Sequence, residues 1–411
     1  MSPQVILYII LSITAAGYVF EQILDYINLR SQRSDIPDEI ASFYDRSKYE
    51  KSLAYHRDLA RFSFLTSAFS FLLSAAMLWF GGFGWIDGII REWTSNEILH
   101  ALFFFGILML SGDILTMPFQ LYSTFVIEAK YGFNKTTPKT FITDKLKGYV
   151  LTAIIGGLLI SLLLYLIEVL GENFWIWFAV IAAVFVLAVN MFYTSLILPL
   201  FNKLTPLPDG ELKSAIEKFA SRVNFPLDNI LVIDGSRRSS KANAFFSGIG
   251  GRKKIVLYDT LIQQHSTDEL VAVLAHEVGH YKKKHIVLSY VLSVLQIVLT
   301  LFLLSLMISN ENLSTALGGD QHSVPLNLIA FGILFTPVSG VTGLLMSVIS
   351  RKNEYEADAY ERQMFDGSAL ASALKRLSVE NLSNLYPHPA YVFFHYSHPP
   401  LLKRLEALSR R

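Results

Sequence analysis

The stretch TDELVAVLAHEVGHYKKK, residues 267–284, decides how the rest of the chain is organised. Its apolar residues recur at helical spacing, at Leu270, Val273, Leu274 and Val278. Ser266 with Glu269 three residues later is the pattern of a capping box, which marks the start of a helix. The stretch therefore predicts one amphipathic helix, and because no helix breaker follows, this helix is expected to continue into the next apolar segment.

His276 and His280 are four residues apart, so on this helix they lie on one face, with Glu277 beside them. This is the H-E-x-x-H pattern, in which two imidazoles bind one Zn²⁺ and the glutamate acts as a general base. A catalytic zinc usually has three protein ligands and one open position. The sequence therefore predicts one zinc ion per chain, for which a third ligand must come from elsewhere.

The composition indicates a membrane protein. Of the 411 residues, 52% are hydrophobic and 17% are charged, whereas soluble domains have roughly 25% charged residues. The mean hydropathy of +0.40 indicates the same class. A net charge of +1 gives no argument for a nucleic-acid partner, and none is expected. The chain has no cysteine, which excludes disulfides, thiolate metal sites and cysteine nucleophiles.

Seven apolar stretches are long enough to cross a bilayer, which takes about 20 residues. They are predicted at Val5–Tyr26, Phe62–Trp85, Leu99–Thr124, Tyr149–Leu170, Phe174–Leu200, Ile286–Ile308 and Leu326–Ile349. Lys and Arg are abundant between spans one and two and between spans three and four, and sparse or absent in the alternate connections. The positive-inside rule then places the N-terminus outside and the C-terminus in the cytoplasm.

The predicted fold is a predominantly α-helical multi-pass membrane protein with a small α+β metalloprotease domain. Its expected parts are residues 1–200 with spans one to five, 201–285 as the cytoplasmic metalloprotease domain, 286–350 with spans six and seven, and 351–411 as a helical C-terminal segment. Within the metalloprotease domain a helix is expected at Asp209–Val223 and strands at Ile230–Asp234, Ala244–Ser247 and Lys254–Tyr258. Gly248–Gly251 is expected to form a hairpin turn, since it lacks the Lys-Ser/Thr ending of a phosphate-binding loop.

The best candidate for the third ligand lies just beyond span seven. Glu354 and Asp358 are four residues apart and share one helix face. Glu354 can bind the metal, while Asp358 can accept the other ring N–H of a ligand histidine. Glu356 faces elsewhere and is expected to be solvated. The alternative interpretation is an ordinary charged helix next to the membrane. Within the spans, Asp113 and Glu168 are costly in lipid and are expected to face a cavity or a partner.

Four motifs together resemble the type I CAAX prenyl proteases, integral-membrane zinc endopeptidases of the gluzincin kind. They are HEVGH at 276–280, SRKNEYEAD at 350–358, IEAKYGFNK at 127–135 and FNKLTPL at 201–207. The likeness continues into the tail motifs HYSHPP at 395–400 and KRL at 403–405, so that it covers nearly the whole chain.

The resemblance implies seven transmembrane helices that enclose a large water-filled chamber, with the zinc site facing it. It implies that Glu354 is the third zinc ligand, and that His398 and Arg404 lie near the active site and assist substrate or transition-state binding. Asn243 is similar to the family's edge-strand asparagine, which holds the substrate backbone. The implied reaction is cleavage near a C-terminal prenylated cysteine with removal of the last three residues. The expected location is the bacterial inner membrane or the endoplasmic reticulum membrane, with the active site on the cytoplasmic side.

The expected mechanism is peptide hydrolysis by metal-activated water. Glu277 would take the water proton and pass it to the leaving amine, Asp358 would orient a ligand histidine, and His398 with Arg404 would stabilise the oxyanion. The expected partners are the lipid bilayer and a peptide or prenylated protein substrate. Two other functions stay open: a membrane quality-control metalloprotease of broad specificity, and a transporter or channel with a structural zinc site.

Overall fold

The computed structural model describes residues 1–247 and 253–410, and the turn expected at Gly248–Gly251 lies outside these residues. The helices are α1 Pro3–Arg30, α2 Arg46–Trp79, α3 Gly82–Trp93, α4 Glu97–Tyr122, α5 Pro138–Leu170, α6 Phe174–Phe192, α7 Leu198–Phe201, α8 Glu211–Arg222, α9 Asp259–Gln264, α10 Thr267–Lys282, α11 His285–Ser305, α12 Glu311–Ala316, α13 Val324–Met364, α14 Gly367–Glu380, α15 Pro389–His395 and α16 Leu401–Ser409. The strands are β1 Leu204–Pro206, β2 Leu227–Ile233, β3 Ala244–Ser247 and β4 Lys253–Tyr258. Wider π-helical turns, Ser123–Glu128 and Tyr193–Ile197, follow α4 and α6.

The described residues contain 6 helical runs that are long and apolar enough to cross a membrane. These runs overlap all seven predicted spans, because the 64-residue run Pro138–Phe201 comprises both α5 and α6. Gly171, with a φ of +53°, interrupts this run, and the two helices pack against each other. The 6 apolar runs and the seven predicted spans therefore comprise the same helices.

Two predicted helix continuations are wrong, and each is interrupted by a residue in the left-handed conformation. The sequence predicts that span two reaches Trp85, but α2 ends earlier and Gly81, with a φ of +66°, precedes α3. It also predicts that the helix with the H-E-x-x-H motif continues into span six. Instead this helix ends at Lys282, and Lys284 adopts a φ of +60°. This break turns His285, the first residue of α11, back toward α10.

Asp113 and Glu168, the two span residues expected to face a cavity or a partner, have different surroundings. Asp113 in α4 accepts hydrogen bonds from Lys145 Nζ at 2.5 and 2.7 Å, and a further one from the hydroxyl of Tyr149. Glu168, near the end of α5, is exposed on the chain. Asp113 therefore faces a partner of opposite charge on the neighbouring helix, which offsets the cost of placing a carboxylate within a span.

The strands form one small sheet in the order β1-β2-β4-β3. β2 and β4 are parallel, whereas β1 and β3 pair antiparallel with their neighbours, so β3 is an edge strand. One apolar cluster joins the sheet to α8 and α10, and it includes Ile216, Phe219, Ile255, Leu257, Leu274 and Val278. Burying one such side chain contributes about 1.5–3 kcal/mol. The sheet and α8 thus pack against one face of α10, and α13 also packs against this helix.

The predicted capping box at the start of α10 is present and extends to α14. Ser266 Oγ accepts from the Glu269 backbone N–H at 3.3 Å, and Glu269 Oε2 accepts from the Ser266 N–H at 2.9 Å. The buried Glu269 carboxylate also accepts from Ser372 Oγ at 2.5 Å and from Arg376 Nε at 3.1 Å. The first turn of α10 is therefore fixed to α14 by a charged group.

We expect Gly84→Ala to destabilise the protein, because a Cβ at this position would overlap the carbonyl group of Gly318. Neither backbone can move without disturbing its own helix or turn, and such overpacking costs about 1–3 kcal/mol or more. Gly88→Ala, in the same helix α3, is the matched control, since a Cβ there would meet nothing within 4 Å. The measurement is the melting temperature of the purified proteins in detergent. Equal melting temperatures for the two variants would contradict this packing.

We expect Glu269→Gln to lower the melting temperature at pH 7 by the loss of a charged hydrogen-bond acceptor, worth about 1.5–3 kcal/mol. Burial raises the pKa of Glu269, but the hydrogen bonds from Ser372, Ser266 and Arg376 lower this pKa by more than burial raises it. The pKa of Glu269 therefore lies below its ordinary value. Its contribution to stability is therefore present above the ordinary carboxyl pKa and is lost as the pH falls through the lowered pKa.

The gap in melting temperature between the natural protein and Glu269→Gln should accordingly shrink on acidification below about pH 4. Asp268→Asn removes the same charge from the same helical turn at an exposed position and serves as the control. A control that melts as low as Glu269→Gln would assign the effect to the helix dipole rather than to the buried contacts.

Candidate active site

The site begins with an unusually close approach of α10 and α13. A Cβ built on Gly279 would lie 3.0 Å from the Cα of Ala357 and 3.1 Å from its carbonyl oxygen. Ala357 is itself fully buried. With a small residue on each side, the two backbones meet directly, so the side chains that flank this contact on the two helices point into the same small volume.

Three of these side chains converge as a metal site would require. Single donor atoms of His276, His280 and Glu354 all lie within 4.8 Å of one another. The two Nε2 atoms are 3.2 Å apart, and the Glu354 oxygens lie 3.3 Å from His280 Nε2 and 3.5 Å from His276 Nε2. Glu354 Oε2 is buried and has no hydrogen-bond partner among the described residues. Two imidazoles and one carboxylate are the donor set of a catalytic zinc site, so these residues fit that ion.

His276 is oriented by a buried ion pair. Its Nδ1 lies 2.8 Å from Asp358 Oδ1, and Arg404 donates to the two Asp358 oxygens at 2.6 and 2.9 Å. Burial lowers the pKa of His276, but its hydrogen bonds with Asp358 and Glu354 raise that pKa to about 9. With the Nδ1–H directed at Asp358, the lone pair of Nε2 is the one available to a metal.

A third histidine, His285, supports the candidate ligand His280, and the sequence analysis did not predict this contact. His280 Nδ1 lies 3.0 Å from Nδ1 of the buried His285, whose Nε2 lies 3.2 Å from Glu356 Oε2. In a continuous helix His285 would stand about 140° around the axis from His280. The break at Lys284 removes this separation, and Glu356, which was expected to be solvated, pairs with His285 while 41% of its side chain stays exposed.

The C-terminal tail reaches the same site. His398 Nδ1 lies 3.0 Å from Glu354 Oε1, while 65% of the His398 side chain is exposed. Arg351 in α13 holds this part of the tail by donating to the carbonyl of Tyr396 at 2.5 Å. Arg404 Nη1 lies 3.4 Å from Glu354 Oε2. The Arg404 guanidinium is thus buried between the carboxylates of Glu354 and Asp358, whereas the His398 side chain remains accessible.

Glu277 and Asn243 lie outside this cluster of contacts. Glu277, next to His276, is half-buried and makes no hydrogen bond or ion pair with any described residue. Asn243 is exposed and directly precedes the edge strand β3, and its carbonyl accepts from the Tyr258 N–H at 3.1 Å. An edge strand offers unpaired backbone groups to which an extended peptide can bind.

The chain matches known proteins along nearly its whole length. The family model described as CAAX prenyl protease N-terminal, five membrane helices, matches residues 25–203, and Peptidase family M48 matches residues 206–411. The CAAX prenyl protease 1 homolog of Arabidopsis thaliana is 38% identical over 95% of this chain and 94% of its own length. CAAX prenyl protease 1 of Saccharomyces cerevisiae is 34% identical over 97% of this chain and 94% of its own length.

The fold matches as closely as the sequence. The crystal structure of S. mikatae Ste24p superimposes with a TM-score of 0.93 at 35% identity, over 98% of this chain and 99% of that one. The family predicted from the four motifs and the predicted fold class, a multi-pass helical membrane protein with a small α+β domain, are confirmed. The chain belongs to the CAAX prenyl protease family and is a membrane metalloprotease.

Proposed function

We propose that this protein is a zinc-dependent endopeptidase that cleaves near the C-terminal prenylated cysteine of CAAX proteins and removes the last three residues. The observation that carries the proposal is the convergence of His276, His280 and Glu354 on one point in a chain of this family. The relatives named CAAX prenyl protease 1 support the substrate class. The open fourth position of such a ligand set argues against a transporter or channel with a structural zinc.

Zinc bound by these three residues would supply a Lewis acid that polarises the scissile carbonyl and activates water. The uncommitted Glu277 carboxylate then takes a proton from the attacking water and passes it to the leaving amine. Asp358 keeps the Nε2 lone pair of His276 directed at the metal position. Arg404 neutralises and holds Asp358, which is a positioning role.

His398 is the proposed donor to the developing oxyanion, because its ring is adjacent to Glu354 and still largely exposed. One such donor is worth roughly 3 kcal/mol in other enzymes. The substrate backbone would add as a strand to β3, with the exposed Asn243 as a hydrogen-bonding residue at its start. In this arrangement the substrate backbone binds at β3, whereas the residues of the chemical step lie on α10, on α13 and in the C-terminal tail.

The proposed orientation places the site on the cytoplasmic side, within seven spans that enclose a chamber. Its support is a contact between a basic loop and the protease elements: Lys135 N–H donates to the Arg238 carbonyl at 3.0 Å, and Arg238 pairs with Asp144 at 2.8 Å. The loop between spans three and four therefore lies at the same end as the sheet, and lysine-rich loops are cytoplasmic. Residues 351–411 would complete the protease unit begun by residues 201–285, since α10 packs on α13 and α14.

We expect Glu277→Gln to retain zinc and to lose about 10²–10⁴-fold in kcat, because the amide cannot accept the proton. Zinc content is measured by elemental analysis and turnover with a prenylated peptide. Glu354→Gln, in contrast, removes a ligand and should lose zinc as well as activity. Glu217→Gln, on the exposed surface of α8, is the control for loss of a carboxylate. Wild-type turnover by Glu277→Gln would refute the assignment of the general base.

We expect the protein to cleave a prenylated CAAX peptide with a kcat/KM at least about tenfold above that of the same peptide without the lipid, because burying a prenyl chain is strongly favourable. The products are identified by mass spectrometry, with a chelator-treated sample as the control. Equal rates on both peptides, or cuts spread along the sequence, would favour the quality-control protease of broad specificity. A rate that the chelator leaves unchanged would contradict metal-dependent hydrolysis altogether.

A further inference from the structure

The motif IEAKYGFNK at 127–135 has a definite task in the structure: it holds the segment that leads into β3. The Ser240 N–H donates to the Phe133 carbonyl at 3.1 Å, and Ser240 Oγ donates to the Gly132 carbonyl, also at 3.1 Å. Gly132 has a φ of +85°, a conformation that favours glycine and turns the loop at this contact. The residues just before Asn243 are thus bound to a loop of the membrane part.

One lysine in this segment gathers three side chains from the membrane part. Lys241 Nζ donates to Tyr55 Oη at 3.0 Å, lies 3.2 Å from Glu128 Oε2, and stands 4.4 Å from the centre of the Phe133 ring. Tyr55 Oη in turn donates to Glu128 Oε1 at 2.5 Å. We call Tyr55, Glu128, Phe133 and Lys241 the Lys241 cluster. It joins α2, the π-helical turn after α4, the following loop and the protease elements.

The Lys241 cluster is better shielded than a surface ion pair. Tyr55 is buried, and the side chains of Glu128 and Lys241 are 23% and 39% exposed. A charge-assisted hydrogen bond shielded by aromatic rings is stronger than an exposed pair, which contributes about 0–1 kcal/mol. The Phe133 ring adds a cation–π contact to the same ammonium group.

The protease elements grip the same segment from the opposite side. Thr260 Oγ1, at the start of α9, donates to the Lys241 carbonyl at 3.1 Å. The Ala242 N–H donates to Asn381 Oδ1 at 3.3 Å, just beyond α14. The two residues before Asn243 are therefore fixed between the membrane part and the protease part, and Asn243 cannot shift without breaking contacts on one side.

We infer that the Lys241 cluster is a positioning device for the substrate-binding strand. It fixes Asn243 and β3 relative to the membrane spans, and so fixes the register of a peptide whose lipid lies among those spans. The inference rests on the proposed function, in which β3 receives the substrate. Lys241 is two residues from Asn243, and a slip of one residue in a strand pairing turns every side chain to the other face.

The decisive measurement is the dissociation constant of an uncleaved prenylated peptide, taken with the full-length protein in nanodiscs in the Glu277→Gln background. Lys241→Met should weaken binding about tenfold and raise KM by a similar factor in the active protein, with kcat within about twofold. Zinc content should not change, because no member of the cluster bonds to a metal ligand among the described residues. Lys218→Met, at an exposed position of α8, is the matched control. A purely structural role would instead lower the active fraction, and hence kcat, with KM unchanged.

Three further variants test the cluster as a unit. Lys241→Arg keeps the charge and should bind the peptide within about threefold of the parent. The double variant Glu128→Gln, Lys241→Met should bind no more weakly than Lys241→Met alone, since both changes break one interaction. Tyr55→Phe removes only a hydroxyl group, and should weaken binding measurably even if Lys241→Met folds poorly.

An unchanged dissociation constant in Lys241→Met and Tyr55→Phe would overturn the inference while wild-type cleavage of the prenylated peptide still supported the proposed function. Losses that multiply in the double variant would also overturn it, because the residues would then act separately. A wild-type protein that does not cleave the prenylated peptide would overturn the proposed function and, with it, this inference.

Discussion

The structure depends on one contact between two helices, where Gly279 of α10 meets Ala357 of α13 at backbone distance. A larger residue on either helix would push the axes apart and carry the ligands with them. Catalytic geometry tolerates little of this, because a displacement of about 1 Å can cost 10²-fold in rate. The long span α13 therefore has two functions: its apolar part crosses the bilayer, and its last turns carry Glu354 and Asp358 to the site.

The same contact brings two buried carboxylates together, and a residue of the C-terminal helix compensates their charge. Without a metal, Glu354 and Asp358 place two buried carboxylates near each other, and burial of an uncompensated charge is costly. Arg404, from α16, contacts both carboxylates, while the Nδ1–H of His276 donates to Asp358. The C-terminal helix is thus part of the site's charge balance, although it lies more than a hundred residues from the H-E-x-x-H motif.

Much of the fold could be predicted from local patterns. The strands at Ala244–Ser247 and near Lys254–Tyr258, the capping box of α10 and the 6 apolar helical runs of the described residues follow from apolar length, periodicity and end signals that involve neighbouring residues only. The strand β1 at Leu204–Pro206 was not predicted, and two further failures are single residues in the left-handed conformation. Gly81 has the residue type expected for such a turn, but Lys284 does not, and nothing in the three consecutive lysines indicates which one will break the helix.

The site shows the same division. Pairs spaced by four residues, such as His276 with His280 and Glu354 with Asp358, can be assigned to common helix faces from their spacing alone. His285 cannot, because its position depends on the break at Lys284. The role of Arg404 also depends on the fold, since the sequence contains no sign that its guanidinium is taken up by Asp358.

The motif at 127–135 shows how a pattern can identify a family without revealing its own task. Its residues neither bind the metal nor lie in the protease sequence, and Glu128 alone gives no hint of a partner at Lys241. In the structure this loop contacts Ser240 and Lys241, the residues that lead into the edge strand. Under the proposed function, cutting at a fixed distance from a lipid needs a rigid connection between the part that holds the lipid and the part that holds the peptide. The Glu128–Lys241 contact lies between the membrane helices and the strand proposed to receive the peptide, and because both side chains are partly exposed, the desolvation cost of the pair is smaller than for a fully buried one.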